Sequence, residues 1–322
     1  MKDMPRTIAQ EQDLKTPPPK RPPQLTARRI GIHTSTSGGP ETAAERAYRL
    51  GCNTLQIFSS SPRQWKASAL TPAQCETMRH LRRQYDLKPL VIHTSYLVNL
   101  AGINPEFHGK SIAAFRGELQ RALALGAEYL VLHPGSYRGD TRENGIRRVA
   151  SAIAEAADGL DLPATPLSIL IENTAGAEFS LGSGFEQVAE LVEYLRDRKI
   201  PVAACIDTCH THVAGYDLVS PEGYEDTLRQ LDTTIGLKNI PVWHCNDAKA
   251  ARGSHLDRHE QIGRGTIGLA VFHRLLNDAR LQHAAFIAET PIDEPGDDQR
   301  NVDALKAVVG SRPSVAGRKK TK

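Results

Sequence analysis

Imidazole and carboxylate side chains in this sequence stand at the ends of short aliphatic runs. His93 follows LVI, His133 follows YLVL, Glu172 follows SILI, Asp207 follows VAACI, His244 follows VW and Glu289 follows AFIA. Taken singly, each has an ordinary role: a strand-end histidine is commonly hydrogen-bonded in the core, and a strand-end carboxylate commonly caps the next helix. Six brought to one place are different, because burying three carboxylates with three imidazoles and no cations is very costly. Two pairs extend the set. Asp207-Thr-Cys-His210 puts a histidine three residues past a strand-end acid, a step that lets the two side chains reach neighbouring ions. Asp257-Arg-His259 lies in the segment 245–266, which is long for a connector, and long connectors are usually functional.

The candidate metal ligands are thus His93, His133, Glu172, Asp207, His210, His244, Asp257, His259 and Glu289. Nitrogen and carboxylate oxygen without thiolate suit zinc, with manganese or iron as alternatives. A catalytic zinc usually takes about three protein ligands and keeps a position open, so this inventory suits two or three ions. Four carboxylates against three divalent cations leave a site charge of about +2, the sign a phosphodiester requires. His33 ends the first aliphatic run and is expected to support the site or to bind phosphate. His80, His108, His212, His255, His273 and His283 are read as outside the chemistry.

These residues need elements that bring distant positions together. Strand-like runs fall near 29–33, 54–58, 90–93, 129–133, 168–172, 202–207, 241–244 and 285–289, and helical stretches follow near 41–50, 72–85, 110–125, 142–158, 184–198, 222–234, 268–277 and 299–309. Continuous apolar runs such as YLVL and SILI suit parallel strands buried on both faces. Eight strand-plus-helix units predict an α/β chain folded as one TIM-type (β/α)₈ barrel over 29–310, whose C-terminal strand ends all open on one face. An open doubly wound sheet is the alternative, although no dinucleotide fingerprint follows the first run.

Residues 1–28, with PPPKRPP, and residues 311–322, ending GRKKTK, read as disordered basic tails. They concentrate the positive charge. The chain has 40 Lys and Arg against 37 Asp and Glu, yet residues 30–310 carry 28 basic and 34 acidic side chains. An acidic body is unusual for a nucleic-acid binder unless bound cations offset it. No run of about 18 apolar residues predicts a membrane span, and no secretory leader is evident. Five cysteines without a CxxC pair suggest reduced thiols in a cytoplasmic protein.

At these residues the chain resembles the endonuclease IV family of apurinic/apyrimidinic endonucleases, over about 29–309. The resemblance rests on GIHTSTSGG from Gly31, RQW at 63–65, HTSYLVNL at 93–100, LHPGS at 132–136, IENTAG at 171–176, CIDTCH at 205–210, AGYDL at 214–218, HCNDAK at 244–249, GSHLDRHEQIGRGTIG at 253–268 and AET at 288–290. It implies three zinc ions: one on His93, His133 and Glu172, a second on Glu172, Asp207, His244 and Glu289, and a third on His210, Asp257 and His259. It also implies cleavage of double-stranded DNA 5′ to abasic sites, leaving a 3′-hydroxyl and a 5′-deoxyribose phosphate, and removal of 3′-blocking groups. Glu172 would bridge two ions and Glu289 would orient the nucleophile. Arg63 and Tyr96 match positions that enter the DNA stack, and a monomer is expected. Thr94 stands where the family often has aspartate, and the fifth loop reads AEFSLG, without the family's usual glycine near Glu178. The rival expectations are a metal-dependent sugar isomerase or epimerase on a similar barrel, and a non-catalytic protein that binds damaged DNA.

Overall fold

The computed structural model describes residues 28–310. Of the expected disordered arm over 1–28, residues 1–27 lie outside the described residues, as does the tail over 311–322; Arg28 is described and donates to the Asp278 carbonyl at 2.7 Å.

Eight parallel strands form one sheet: β1 (Arg29–Ile32), β2 (Leu55–Phe58), β3 (Leu90–His93), β4 (Tyr129–Leu132), β5 (Ser168–Glu172), β6 (Val202–Asp207), β7 (Val242–His244) and β10 (Ala285–Ala288). Their spatial order is β1-β10-β7-β6-β5-β4-β3-β2, and a parallel bridge between His33 and Gln56 joins the two ends into a barrel. The remaining strands, β8 (Asp247–Ala248) and β9 (His259–Glu260), form a small antiparallel ribbon above it. Around the barrel run α1 (Pro40–Arg49), α2 (Pro72–Tyr85), α3 (Pro105–Leu125), α4 (Arg142–Ala157), α5 (Phe185–Asp197), α7 (Pro221–Thr234), α8 (Leu269–Asn277) and α9 (Asp297–Val308). The short α6 (Thr208–Val213) continues directly from β6. Thr71, Asn104, Thr141 and Ser220 cap α2, α3, α4 and α7 through side-chain oxygens, so each helix start is written locally in the sequence.

Successive strand side chains face opposite sides of the sheet. Val91, Val131, Leu170, Cys205, Val242 and Ile287 form a closed apolar cluster inside the barrel. Each lies two residues before a candidate ligand, so the ligands point to the same interior one layer higher. The opposite faces, with Ile92, Leu132, Ile171, Ile206, Trp243 and Phe286, pack into the helix layer. The hydrophobic pattern on both faces is therefore what aims the polar ends inward.

Register staggers that upper layer. His93 pairs with Val131, Glu172 with Cys205, His244 with Ile287, and His33 with Gln56. Following these pairings once round the barrel advances the register by eight residues, the shear of a (β/α)₈ barrel. At the β1–β2 seam any side chain on Gly31 would collide with the Thr54 carbonyl, so glycine permits the closure.

The strand ends expected at His133 and Glu289 fall one residue beyond β4 and β10, and α3 starts five residues earlier than predicted. The ribbon and α6 were not anticipated. Among the described residues no helix is long and apolar enough to cross a membrane.

Candidate metal centre

Glu172 is the centre of the site. It is fully buried, and its two carboxylate oxygens face different groups. Oε2 lies 3.1 Å from His93 Nε2 and 2.9 Å from His133 Nε2. Oε1 lies 2.8 Å from His244 Nδ1 and 3.5 Å from His210 Nδ1. Glu289 Oε2 is 3.3 Å from the same His244 nitrogen. A third group forms nearer the surface: His210 Nε2 is 3.3 Å from Asp257 Oδ2, and His259 Nε2 is 3.2 Å from Asp257 Oδ1. Three sets therefore gather donor atoms within 4.8 Å: His93, His133 and Glu172; Glu172, Asp207, His244 and Glu289; and His210, Asp257 and His259. A further combination, Asp207, Cys209 and His259, overlaps them.

Hydrogen bonds on the far side of four of the five rings orient the donors. His93 Nδ1–H donates to the Thr94 carbonyl at 2.8 Å, and His210 Nδ1–H to the Asn173 carbonyl at 2.8 Å. His259 Nδ1–H donates to the Glu289 carbonyl at 3.1 Å. His244 is turned the other way: its Nε2–H donates to Gln56 Oε1 at 2.8 Å, leaving Nδ1 toward Glu172. Fixing one nitrogen as donor in this way presents the other to a metal. Asp207 is held by the backbone of its own helix: Oδ1 accepts from the His210 amide at 2.8 Å, capping α6, while Oδ2 accepts from Asn246 Nδ2 at 2.6 Å. The Asp-to-His step of three residues is thus one helical turn.

The groups polarise one another. Burial disfavours charge on Glu172, yet His244 and His133 hold it well below the ordinary carboxylate range. Burial likewise opposes a charged His210, but Asp207 and Asp257 push it up to about 10. The same contest, with Asp207 and Asp257 prevailing over burial, takes His259 to about 9. Glu289 is held down mainly by His244 and His33 against its burial. So many opposed charges in a largely buried pocket are what a cation would replace. His259 Nε2 is buried and, although 3.2 Å from Asp257 Oδ1, makes no aligned hydrogen bond; such a nitrogen in a set of imidazole and carboxylate donors fits zinc.

All nine candidate ligands are brought together. His33 supports rather than joins them: its Nδ1 is 3.0 Å from Gln56 Nε2 and 3.5 Å from Glu289 Oε1. Tyr96 rises from the loop after β3, its ring 5.1 Å from Phe58 and 6.5 Å from His93, and is 66% exposed. Arg63 lies in the exposed loop after β2.

Sequence reasoning missed four supporting groups. Gln56, inward on β2, links His33, His244 and Glu289 through one amide. Asn246 joins Asp207 to the Glu289 amide, donating to one and accepting from the other. Asp247 is wholly buried and accepts from the amides of Gly263, Ile267 and Gly268, which anchors the far end of the long seventh loop. His255 has a left-handed backbone (φ 57°) and its Nδ1 is 3.1 Å from the Ala175 carbonyl, tying the same loop to the fifth. The signals available were a polar residue at an inward strand position for Gln56 and adjacency to His244 for Asn246 and Asp247.

A family profile described as a xylose isomerase-like TIM barrel matches residues 44–308. A probable endonuclease 4 from Solibacter usitatus is 50% identical over 293 residues, covering 90% of this chain and all of that protein. One from Chloroflexus aurantiacus is 40% identical, covering 87% and 98% respectively. The crystal structure of endonuclease IV from Thermus thermophilus superposes with a TM-score of 0.77 at 38% identity, covering 87% of this chain and 98% of that one. A D-tagatose 3-epimerase-like protein reaches a TM-score of 0.63 at 20% identity and shares the fold alone. With a relative half identical along its entire length and a barrel to match, this chain belongs to the endonuclease IV family.

Proposed function

We propose that the protein is a zinc-dependent DNA-repair endonuclease. It hydrolyses the phosphodiester 5′ to abasic sites in double-stranded DNA, leaving a 3′-hydroxyl and a 5′-deoxyribose phosphate, and it also clears 3′-blocking groups. The observation that carries this reading is the division of Glu172. One oxygen serves His93 and His133 and the other serves His244, as a carboxylate shared by two ions requires. Three zinc ions are assigned to the three donor sets. When bound, they would supply charge neutralisation and a water acidic enough to attack near neutral pH, and a closely spaced pair would clamp the entering and leaving oxygens.

The side chains do the positioning. Glu172 and Asp207 are held rigidly by buried partners, so the donor sets keep their spacing without substrate. Glu289, tethered by Gln56 and His33, stands beside His244, where it orients the attacking group. Asp257 and His259 reach in from the loop over the opening, where a phosphate enters. Tyr96 and Arg63 stand on the same face, where they contact DNA around an extruded abasic sugar, and extrusion costs least where pairing is already lost. A sugar isomerase would need fewer donors and a closed pocket. The third donor set and the exposed Tyr96 favour a polymer.

The test is nicking of a duplex bearing one abasic site by the monomeric protein, with and without chelator, alongside metal analysis. Three zinc per chain with chelator-sensitive nicking is expected. Binding without nicking would assign a non-catalytic lesion-binding role, and one or two manganese ions without nicking would assign a sugar enzyme.

A further inference from the structure

All five cysteines are buried and unpaired, yet among the described residues only Cys209 joins a donor set. Cys205 lies in the apolar layer beneath the donors, and Cys245 packs in the main core. Cys209 is the second residue of α6, the short helix that Asp207 caps and that carries His210. The seventh loop crosses this helix. The Cys209 thiol lies 3.8 Å from the Arg258 carbonyl, and His259 follows Arg258 at the start of β9. Sγ, an Asp207 carboxylate oxygen and a ring nitrogen of His259 consequently lie within 4.8 Å of one another.

His259 is the pivot between this set and the third zinc set. Its Nδ1–H is committed to the Glu289 carbonyl, which leaves Nε2 to face an ion. That nitrogen stands 3.2 Å from Asp257 Oδ1 on one side and 3.7 Å from Asp207 Oδ2 on the other, and it is buried with no aligned hydrogen bond to either. Two donors about 2.1 Å from one ion stand roughly 3.4–3.6 Å apart, so Nε2 can share a cation with either carboxylate. It has one lone pair and serves one ion at a time. The two arrangements differ in hardness. His210, Asp257 and His259 offer nitrogen and oxygen, whereas Asp207 and His259 with Cys209 add a sulfur, and thiolate favours soft cations.

We propose that Asp207, Cys209 and His259 form an alternative site for a thiophilic divalent cation, and that filling it expels the ion of the third set. The binding step is a ligand exchange. The Cys209 S–H bond breaks, its proton passes to water and a sulfur–metal bond forms, with no transfer of electrons. His259 Nε2 changes partner, and the third ion, left with His210 and Asp257, departs to solvent. The site itself stands apart from the nuclease reading; its effect on nicking rests on that reading.

The test adds Cd²⁺ to the full-length zinc-loaded protein. Three quantities are read: the ultraviolet thiolate-to-cadmium charge-transfer band, the zinc and cadmium retained after desalting, and nicking of a duplex with one abasic site. One cadmium–thiolate band per chain is expected, with loss of one zinc and of nicking. Cys209→Ser and Cys209→Ala are expected to remove the band, and Cys245→Ser to keep it. Partners that merely orient a metal-bound histidine are worth roughly 10- to 100-fold in affinity, so loss of a direct ligand should raise the Cd²⁺ needed for half-inhibition by at least about tenfold. Each variant is compared with its own cadmium-free rate, and melting reports its fold. Absence of the band in the unaltered protein, a band that survives both Cys209 substitutions, or a band with no loss of zinc overturns the proposal. Half-inhibition within about threefold of the unaltered protein in both Cys209 variants also overturns it, because cadmium then acts at the three ordinary donor sets. Failure of the cadmium-free protein to nick removes the nuclease reading, while the band and the retained zinc still decide the site.

Discussion

Gln56 offers the sharpest probe of how the donors are aimed. It is fully buried, and one amide serves two ligands: Oε1 accepts the His244 Nε2–H at 2.8 Å, and Nε2 donates to Glu289 Oε1. Gln56→Leu keeps the bulk and offers neither bond. The His244 N–H then has no acceptor in a dry interior, which costs about 1–3 kcal/mol. If the ring turns to find one, Nδ1 no longer faces Glu172 and the donor is lost. Either way the ion on Glu172, Asp207, His244 and Glu289 weakens. At about 1.4 kcal/mol per decade, the expected loss is roughly 5- to 150-fold in zinc affinity, in line with the 10- to 100-fold range typical for partners that orient metal-bound histidines. Competition against a chromophoric chelator measures it, and melting of the chelated protein shows whether the fold is intact. An affinity within about threefold of the unaltered protein, with the fold intact, would refute the orienting role.

Other outcomes follow from the same geometry. Glu172→Ala should abolish nicking and lower zinc content, because two donor sets share that carboxylate, whereas Tyr96→Ala should weaken lesion binding with zinc content unchanged; equal zinc loss in both contradicts the division. In the chelated protein, His210 near 10 and His259 near 9 lie above the unfolded imidazole value of about 6.5. Their stabilisation is complete below that value and lost as pH rises through 9 to 10, while metals bind the deprotonated rings. The melting-temperature gap between loaded and chelated protein should therefore widen from pH 6 to pH 9.5, and a constant gap would count against this protonation scheme. His255→Ala removes the link to Ala175 and puts a less tolerant residue at a left-handed position, so amide exchange across 254–260 should speed up in the chelated protein. His255→Asn, which tolerates that conformation, should restore part of the protection.

Six of the nine donors legible in the sequence share one property: each closes an aliphatic run. His93, Glu172, Asp207 and His244 end their strands, and His133 and Glu289 follow directly. Alternation then forces all of them inward once the residues beneath, such as Val91 and Leu170, are buried. His210 was legible through helical spacing from Asp207. Gln56 was not, because its polarity at an inward strand position names no partner, and its role exists only once β1 and β2 close the ring. Asp247 and His255 were hidden for a related reason. Their partners, the amides of residues 263–268 and the Ala175 carbonyl, lie on connectors whose course no periodicity describes.

The buried Asp247 carboxylate has a bearing on cofactor uptake. By holding the amides of residues 263, 267 and 268, it secures the long connector from inside the protein, independent of any ion. In small zinc modules the energy of coordination is consumed in folding the chain. Here protein contacts already anchor the connector that carries Asp257 and His259, so an ion bound there would spend less of that energy on ordering the chain.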